Sequence, residues 1–341
     1  MDIVRPLPIP DGQPDALPAS TISFDYDDLS LVPREVSTLA HRSDAKPAVE
    51  LGGVNLDVPL IGSPMPDVCG LEMCDALAQS GAMGILHRFQ SIDEQADDLR
   101  SARERTPAVG AAIGITGDYR DRFLRLLDAG CEIVCIDTAN GAHVQMAEAV
   151  SWVRAQSSSV FLIAGNVASA EAFSWLEDHG ADAIRVGIAG GSVCETRTET
   201  GVFVPTPYAV AEAVRVRRRT LIIGDSGVRT PSDMCKLLAI GADCVMVGSA
   251  LAGTREAPGR VIVVDGKKFK IMRGAASFSV QQQVGIDDPE HVEGSETMVP
   301  YKGRAAGVVE RYLAGLRSSM SYMDARTLDE YRRNVSFVRL R

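Results

Sequence analysis

Val186-Gly-Ile-Ala-Gly-Gly-Ser-Val-Cys-Glu-Thr-Arg-Thr-Glu-Thr200 is the stretch that decides the reading of this chain. A short apolar run, Ala183 to Val186, ends in Gly187, Gly190 and Gly191, followed by Ser192 and one cysteine, Cys194. Glycines directly after a strand let the backbone turn tightly and approach a ligand with no Cβ in the way. A thiol on such a loop is free of core packing, which is what a covalent nucleophile requires.

The same strand–loop–helix unit recurs outward from this stretch. Apolar runs at Pro59–Ser63, Ala82–Leu86, Val109–Ile115, Glu132–Asp137, Val160–Gly165, Ala183–Gly187, Thr220–Asp225 and Cys244–Gly248 read as eight strands. Helical patterns follow them, as over 118–129, where Tyr119, Phe123, Leu126 and Leu127 share one face. Ala129-Gly130-Cys131, Gly180-Ala181-Asp182 and Gly241-Ala242-Asp243 each end a helix and open a strand, with glycine as the left-handed cap. Eight continuous apolar strands alternating with helices predict an α/β fold, a (β/α)8 TIM barrel, over 21–341 as one domain. An open doubly wound sheet is the alternative, because spacing does not prove closure.

Two departures from the alternation stand out. Arg260 to Met272 reads as a hairpin around Asp265-Gly266. The polar stretch 274–299 is too long for an ordinary connection and predicts a lid inserted after strand eight, over the catalytic face. Residues 1–20, with prolines at 6, 8, 10, 14 and 18, predict a flexible arm, and about 304–318 the last helix.

Composition narrows the partners. Of 341 residues 45% are hydrophobic and 23% charged, ordinary for a large core, and no apolar run approaches membrane-spanning length. The net charge of −10 argues against nucleic acid or an anionic membrane as partner, while leaving a local N–H nest free to bind a small anion. Seven cysteines without zinc-ribbon spacing predict reduced, cytoplasmic usage, with Cys131 and Cys135 in the core.

From Ser23 onward the chain resembles the IMP dehydrogenase / GMP reductase family. The motifs that carry the resemblance are Tyr26-Asp-Asp-Leu-Ser-Leu-Val-Pro33, Ser63-Pro-Met65, Asp137-Thr-Ala-Asn-Gly141, Gly165-Asn-Val167, Gly191-Ser-Val-Cys-Glu-Thr-Arg197, Gly224-Asp-Ser-Gly227, Gly248-Ser249 and Val299-Pro-Tyr-Lys-Gly303. The resemblance implies a TIM barrel and a purine nucleotide whose C2 is attacked by Cys194. It places Ser192, Gly227, Gly248 and Ser249 around the 5′-phosphate, Asp225 on the ribose, and Ser63, Met65 and Gly274 near nucleotide and ring. Thr196 and the lid Glu293 correspond to the proton-transfer pair, with Glu296 as the nearby alternative. Asp137, Asn140 and Gly141, with His87 and Arg88, fall on the side of the nicotinamide cofactor, NADPH. Backbone carbonyls of Ala189, Gly191 and Cys194 would hold a monovalent cation, K+, and the family's assembly implies a homotetramer.

Within the family, three features favour the reductase over the dehydrogenase. No arginine or tyrosine lies between Arg273 and Tyr301 to serve as a hydrolytic base, the lid is short, and no regulatory domain interrupts the barrel. The expectation is therefore NADPH-dependent reductive deamination of GMP to IMP. The alternatives are an IMP dehydrogenase without regulatory domain and a nucleotide-binding paralogue without activity. Ala189, Glu195, Met272 and Ala275 depart from the family pattern and raise a third alternative, a changed base or sugar preference.

Overall fold

Apolar strands with both faces buried must be covered on both, and here they close on themselves. In the computed structural model, which describes residues 23–283, 285, 288, 289 and 292–340, eight strands form a closed parallel barrel. They are β1 (Leu60–Gly62), β2 (Met83–Leu86), β3 (Val109–Ile113), β4 (Ile133–Asp137), β5 (Phe161–Val167), β6 (Ala183–Val186), β7 (Leu221–Gly224) and β8 (Cys244–Val247). Each pairs with the next in sequence, and β8 closes on β1. Closure excludes the open doubly wound sheet. The arm expected over 1–20 lies outside the described residues.

Helices α1 (Leu71–Gln79), α2 (Ile92–Arg103), α3 (Tyr119–Asp128), α4 (Val144–Gln156), α5 (Ala170–Asp178), α6 (Thr206–Val216), α7 (Pro231–Ile240) and α8 (Ala305–Tyr322) follow the strands. Alternate strand residues face the helices or the barrel interior. Inside, Ile61, Ile85, Ile163, Ile223 and Met246 pack as one cluster with Leu51, Val54 and Leu56. Those last three come from a hairpin, Val49–Leu51 with Val54–Leu56, that plugs the bottom of the barrel. The segment leading into β1 thus ends in a hairpin. Gly52 and Gly53 supply the two positive-φ positions that such a turn needs, φ 60° and 78°.

The predicted helix caps are present: Gly130, Gly180 and Gly241 have φ of 83°, 98° and 133°. The helix expected over about 304–318 is α8 but is not the last: past it lie a helix, Leu328–Asn334, and a strand, Ser336–Arg339, which pairs antiparallel with Leu29–Val32. Leu328 and Tyr331 anchor it by burial in the main core. No described helix is long and apolar enough to cross a membrane.

After β8 the predicted hairpin forms β9 (Ile262–Val264) and β10 (Lys267–Arg273), turning at Asp265 and Gly266, both at positive φ. A third strand, β11 (Glu296–Pro300), pairs with β10 across its length. The lid expected over 274–299 is therefore shorter: from Glu296 onward it belongs to the sheet. Its two ends leave β10 and enter β11 side by side.

Candidate active site

The loop after β6 carries Cys194, the one exposed cysteine among the described residues. The others are packed inside, where burial pushes the thiols of Cys131 and Cys135 up to about 12. The loop reaches its shape through close backbone approach. A Cβ on Gly187 would sit 1.9 Å from the Asp225 carbonyl oxygen, so only glycine fits there. Ala189 holds φ 62°, a conformation that glycine adopts freely and alanine does not. Glu195, beside the thiol in sequence, begins a one-turn helix, Thr196–Thr200, and accepts from Thr198 Oγ1 on it.

The lid docks on this loop through backbone. Ser295 N–H donates to Val193 O (3.0 Å), Glu195 N–H to Glu293 O (2.8 Å), and Gly274 N–H to Ser295 O (2.9 Å). A Cβ on Gly274 would stand 2.8 Å from Val193 O, which explains glycine at the lid's root. The docking aligns three side chains. Cys194 Sγ donates to Thr196 Oγ1 at 3.3 Å, and Thr196 Oγ1 donates to Glu293 Oε2 at 2.6 Å. Thiol, hydroxyl and carboxylate thus form one continuous hydrogen-bonded chain. Glu296 lies elsewhere, on β11 across from Arg273.

Strand ends around the mouth supply the rest. Gly248, Ser63, Met65 and Met272 converge: a Cβ on Gly248 would lie 3.1 Å from Met65 Sδ, 3.8 Å from Ser63 Cβ and 4.0 Å from Met272 Cε. Gly227, at φ 78°, faces Gly190 and the ring of Tyr26, whose hydroxyl donates to Ser226 O (3.0 Å). Beside Ser249, Lys302 Nζ donates to the Ser249 and Ala250 carbonyls. Ser192 is exposed on the cysteine loop. These groups gather small residues and backbone dipoles at the strand ends, a lining suited to an anionic ligand.

Across the mouth runs a charged network that sequence reasoning missed. Arg185 on β6 points into the barrel, only 5% exposed. Its Nε and Nη2 donate to Asp225 Oδ2 (3.0 and 2.8 Å), and Nη1 to Asp137 Oδ1 (2.5 Å). Asn166 Nδ2 adds a third donor to Asp225 Oδ2 at 2.8 Å. Burial works against the charge on Arg185, but Asp225 and Asp137 outweigh it and hold the guanidinium firmly protonated. The network fixes Asp225, whose Oδ1 takes only the Ser226 N–H (2.6 Å) and keeps a lone pair for a ligand hydroxyl. A signal was present: Arg185 is the single charge in an apolar strand, at a position whose neighbour in the alternation, Ala183, faces inward.

Asp137 also meets Arg88, with Nε 3.6 Å from Oδ2, and Arg88 Nε is buried with no hydrogen-bond partner. Gly141 N–H donates to Asn166 O (2.6 Å), and Asn140 is exposed at the turn beside it. His87 turns inward and is 8% exposed, its Nδ1 accepting from Phe89 N–H (3.2 Å). Burial lowers its pKa to about 4, so the ring is neutral near pH 7 and brings no charge to a phosphate. Arg88 is the cation of that pair.

Comparison with known proteins identifies similar chains and a similar fold. A family profile described as "IMP dehydrogenase / GMP reductase domain" matches residues 23–341. The inosine-5'-monophosphate dehydrogenase of Borreliella burgdorferi is 30% identical over 377 residues, covering 92% of this chain and 93% of that one. A GMP reductase of Lactobacillus delbrueckii subsp. bulgaricus is 34% identical over 321 residues, covering 93% and 94%. The GMP reductase of Leishmania donovani is 41% identical over 249 residues, 68% of this chain but 50% of that protein. The crystal structure of a GMP reductase from Trypanosoma brucei in complex with guanosine 5'-monophosphate superposes with a TM-score of 0.88 at 28% identity, covering 95% and 96%.

Proposed function

The chain belongs to the IMP dehydrogenase / GMP reductase family, and we propose that within it the protein is a GMP reductase, converting GMP to IMP and ammonia with NADPH. The observation that carries this reading is the Cys194–Thr196–Glu293 chain, a path able to return a proton to a departing amine. No arginine or tyrosine between Arg273 and Tyr301 is present to activate water for the opposite chemistry.

The residues would act as follows. The Cys194 proton passes through the Thr196 hydroxyl to Glu293, and the thiolate bonds to C2 of GMP. As the C2–N2 bond breaks, the same proton returns through Thr196 and the amine leaves as ammonia. NADPH, when bound, supplies the hydride that C2 needs, and the thiolate is then expelled to leave IMP. Ser192, Gly227, Gly248 and Ser249 cradle the phosphate, Asp225 holds a ribose hydroxyl, and Ser63, Met65 and Gly274 border the base. Asp137, Asn140 and Gly141 line the cofactor side with Arg88, whose Nε makes no hydrogen bond and stands 3.6 Å from Asp137 Oδ2. The neutral carbonyls of Ala189, Gly191 and Cys194 suit a hard monovalent cation such as K+, which would stiffen the loop.

A paired assay tests the proposal. GMP with NADPH is expected to lose nicotinamide absorbance and release ammonia. Turnover only with IMP and NAD would assign the dehydrogenase reaction instead, and nucleotide binding without turnover in either mixture would make the chain an inactive paralogue.

A further inference from the structure

We propose that Asp67 is a positioning residue that sets the lid so that Glu293 reaches Thr196. It lies on the loop between β1 and α1, two residues beyond Met65, and is 6% exposed. One carboxylate receives three donors from Arg273: the backbone N–H (2.9 Å) and Nε (2.7 Å) on Oδ2, and Nη2 (2.7 Å) on Oδ1. Arg273 is the last residue of β10, and Gly274, the next residue, pairs with Ser295 at the lid's other end. The Arg273 guanidinium also meets the lid at Gln283 Oε1 (3.4 Å), while Gln283 Nε2 donates to Phe89 O (3.2 Å).

This clamp joins a lid of mixed exposure to the loop after β1. In the described part of the lid Ala275, Phe278, Gln282 and Gln283 are exposed, and Gly274, Ser277 and Val280 are buried. A two-point, charge-assisted pair fixes direction as well as distance. Because Asp67 shares its loop with Met65, the base side of the nucleotide pocket and the lid root are referred to one segment. Asp67 touches none of the residues in the proton path, so its effect travels through Arg273 and the pairing of Gly274 with Ser295.

The inference rests on the relay reading of Glu293, and its test separates the two. Asp67→Asn keeps the shape of the side chain and removes the charge that orients Arg273. Turnover of GMP should fall about tenfold to a hundredfold, the cost of a misplacement near 1 Å. KM for GMP should change less than about threefold, since no phosphate or ribose contact is lost. In a Glu293→Ala background the same substitution should change turnover less than about twofold, because the group it positions is gone. Backbone hydrogen exchange over 274–283 and 292–296 should speed up in Asp67→Asn, with Arg273→Lys intermediate. Unchanged turnover in Asp67→Asn would overturn the proposal, as would an undiminished loss in the Glu293→Ala background. If Glu293→Ala itself leaves turnover intact, the relay reading fails. The clamp then stands or falls on lid exchange alone, and unchanged exchange sinks it.

Discussion

The two ends of the barrel solve opposite problems with the same strands. At the bottom, Leu51, Val54 and Leu56 from the plugging hairpin meet Ile61, Ile163 and Ile223 in a dry cluster, and Cys244 is sealed in it with its thiol pushed up by burial. At the mouth the interior positions turn polar: Arg185 bridges Asp137 and Asp225, and an exposed Cys194 faces Thr196 and Glu293. Both ends hold cysteines, and surroundings alone separate an inert thiol from a usable one. The bottom is apolar throughout, whereas the mouth carries buried charge and a left-handed alanine that cost free energy.

Substitutions at each end should break or sharpen that division, beginning with the largest effect. Cys194→Ala should lower GMP turnover by about 10⁴-fold or more and leave nucleotide binding intact, as titration of the variant would show. Leu56→Ala should do the reverse, costing about 2–5 kcal/mol of stability in denaturant unfolding with kcat/KM unchanged. A large rate loss at Leu56 would erase the proposed separation of the two ends.

His87 gives a pH-dependent effect of intermediate size. Its ring has a pKa of 6.5 when unfolded and about 4 when folded, so between those values the unfolded chain binds the extra proton. Stability should therefore be whole above pH 6.5 and fall as pH drops toward 4, by about 3 kcal/mol at most. His87→Gln should flatten that slope in unfolding measured across this range. The smallest effect is at Ala189: replacement by glycine should relieve left-handed strain and raise stability by about 1 kcal/mol, less the entropy that glycine adds to the unfolded chain. A loss of stability there would show that the loop is not strained at that position.

The barrel was legible because its signals are local and repeated: apolar strand runs, helical periodicity and glycine caps at Gly130, Gly180 and Gly241. Most of the cysteine loop was legible too, since glycines, a lone exposed thiol and Thr196 sit within a few residues. What stayed hidden depends on contacts distant in sequence. Asp67 and Arg273 are 206 positions apart, and their pairing exists only because the lid's sheet folds back over β1. Arg185 looked like part of an apolar run until closure set it opposite two carboxylates. The bottom hairpin left no signal in the sequence because its strands are three residues each, too short for alternation to register. His87 was expected on the cofactor side, but burial, which composition does not reveal, turns it inward and makes it neutral.

The most direct test of the central claim is an acid quench of the protein loaded with GMP and no NADPH, followed by peptide mass analysis. The account predicts one purine nucleotide, less its amine, attached to the peptide containing Cys194, and none in Cys194→Ala. A protein that turns GMP over with NADPH yet shows no adduct under quench, or carries it on a different residue, would contradict it.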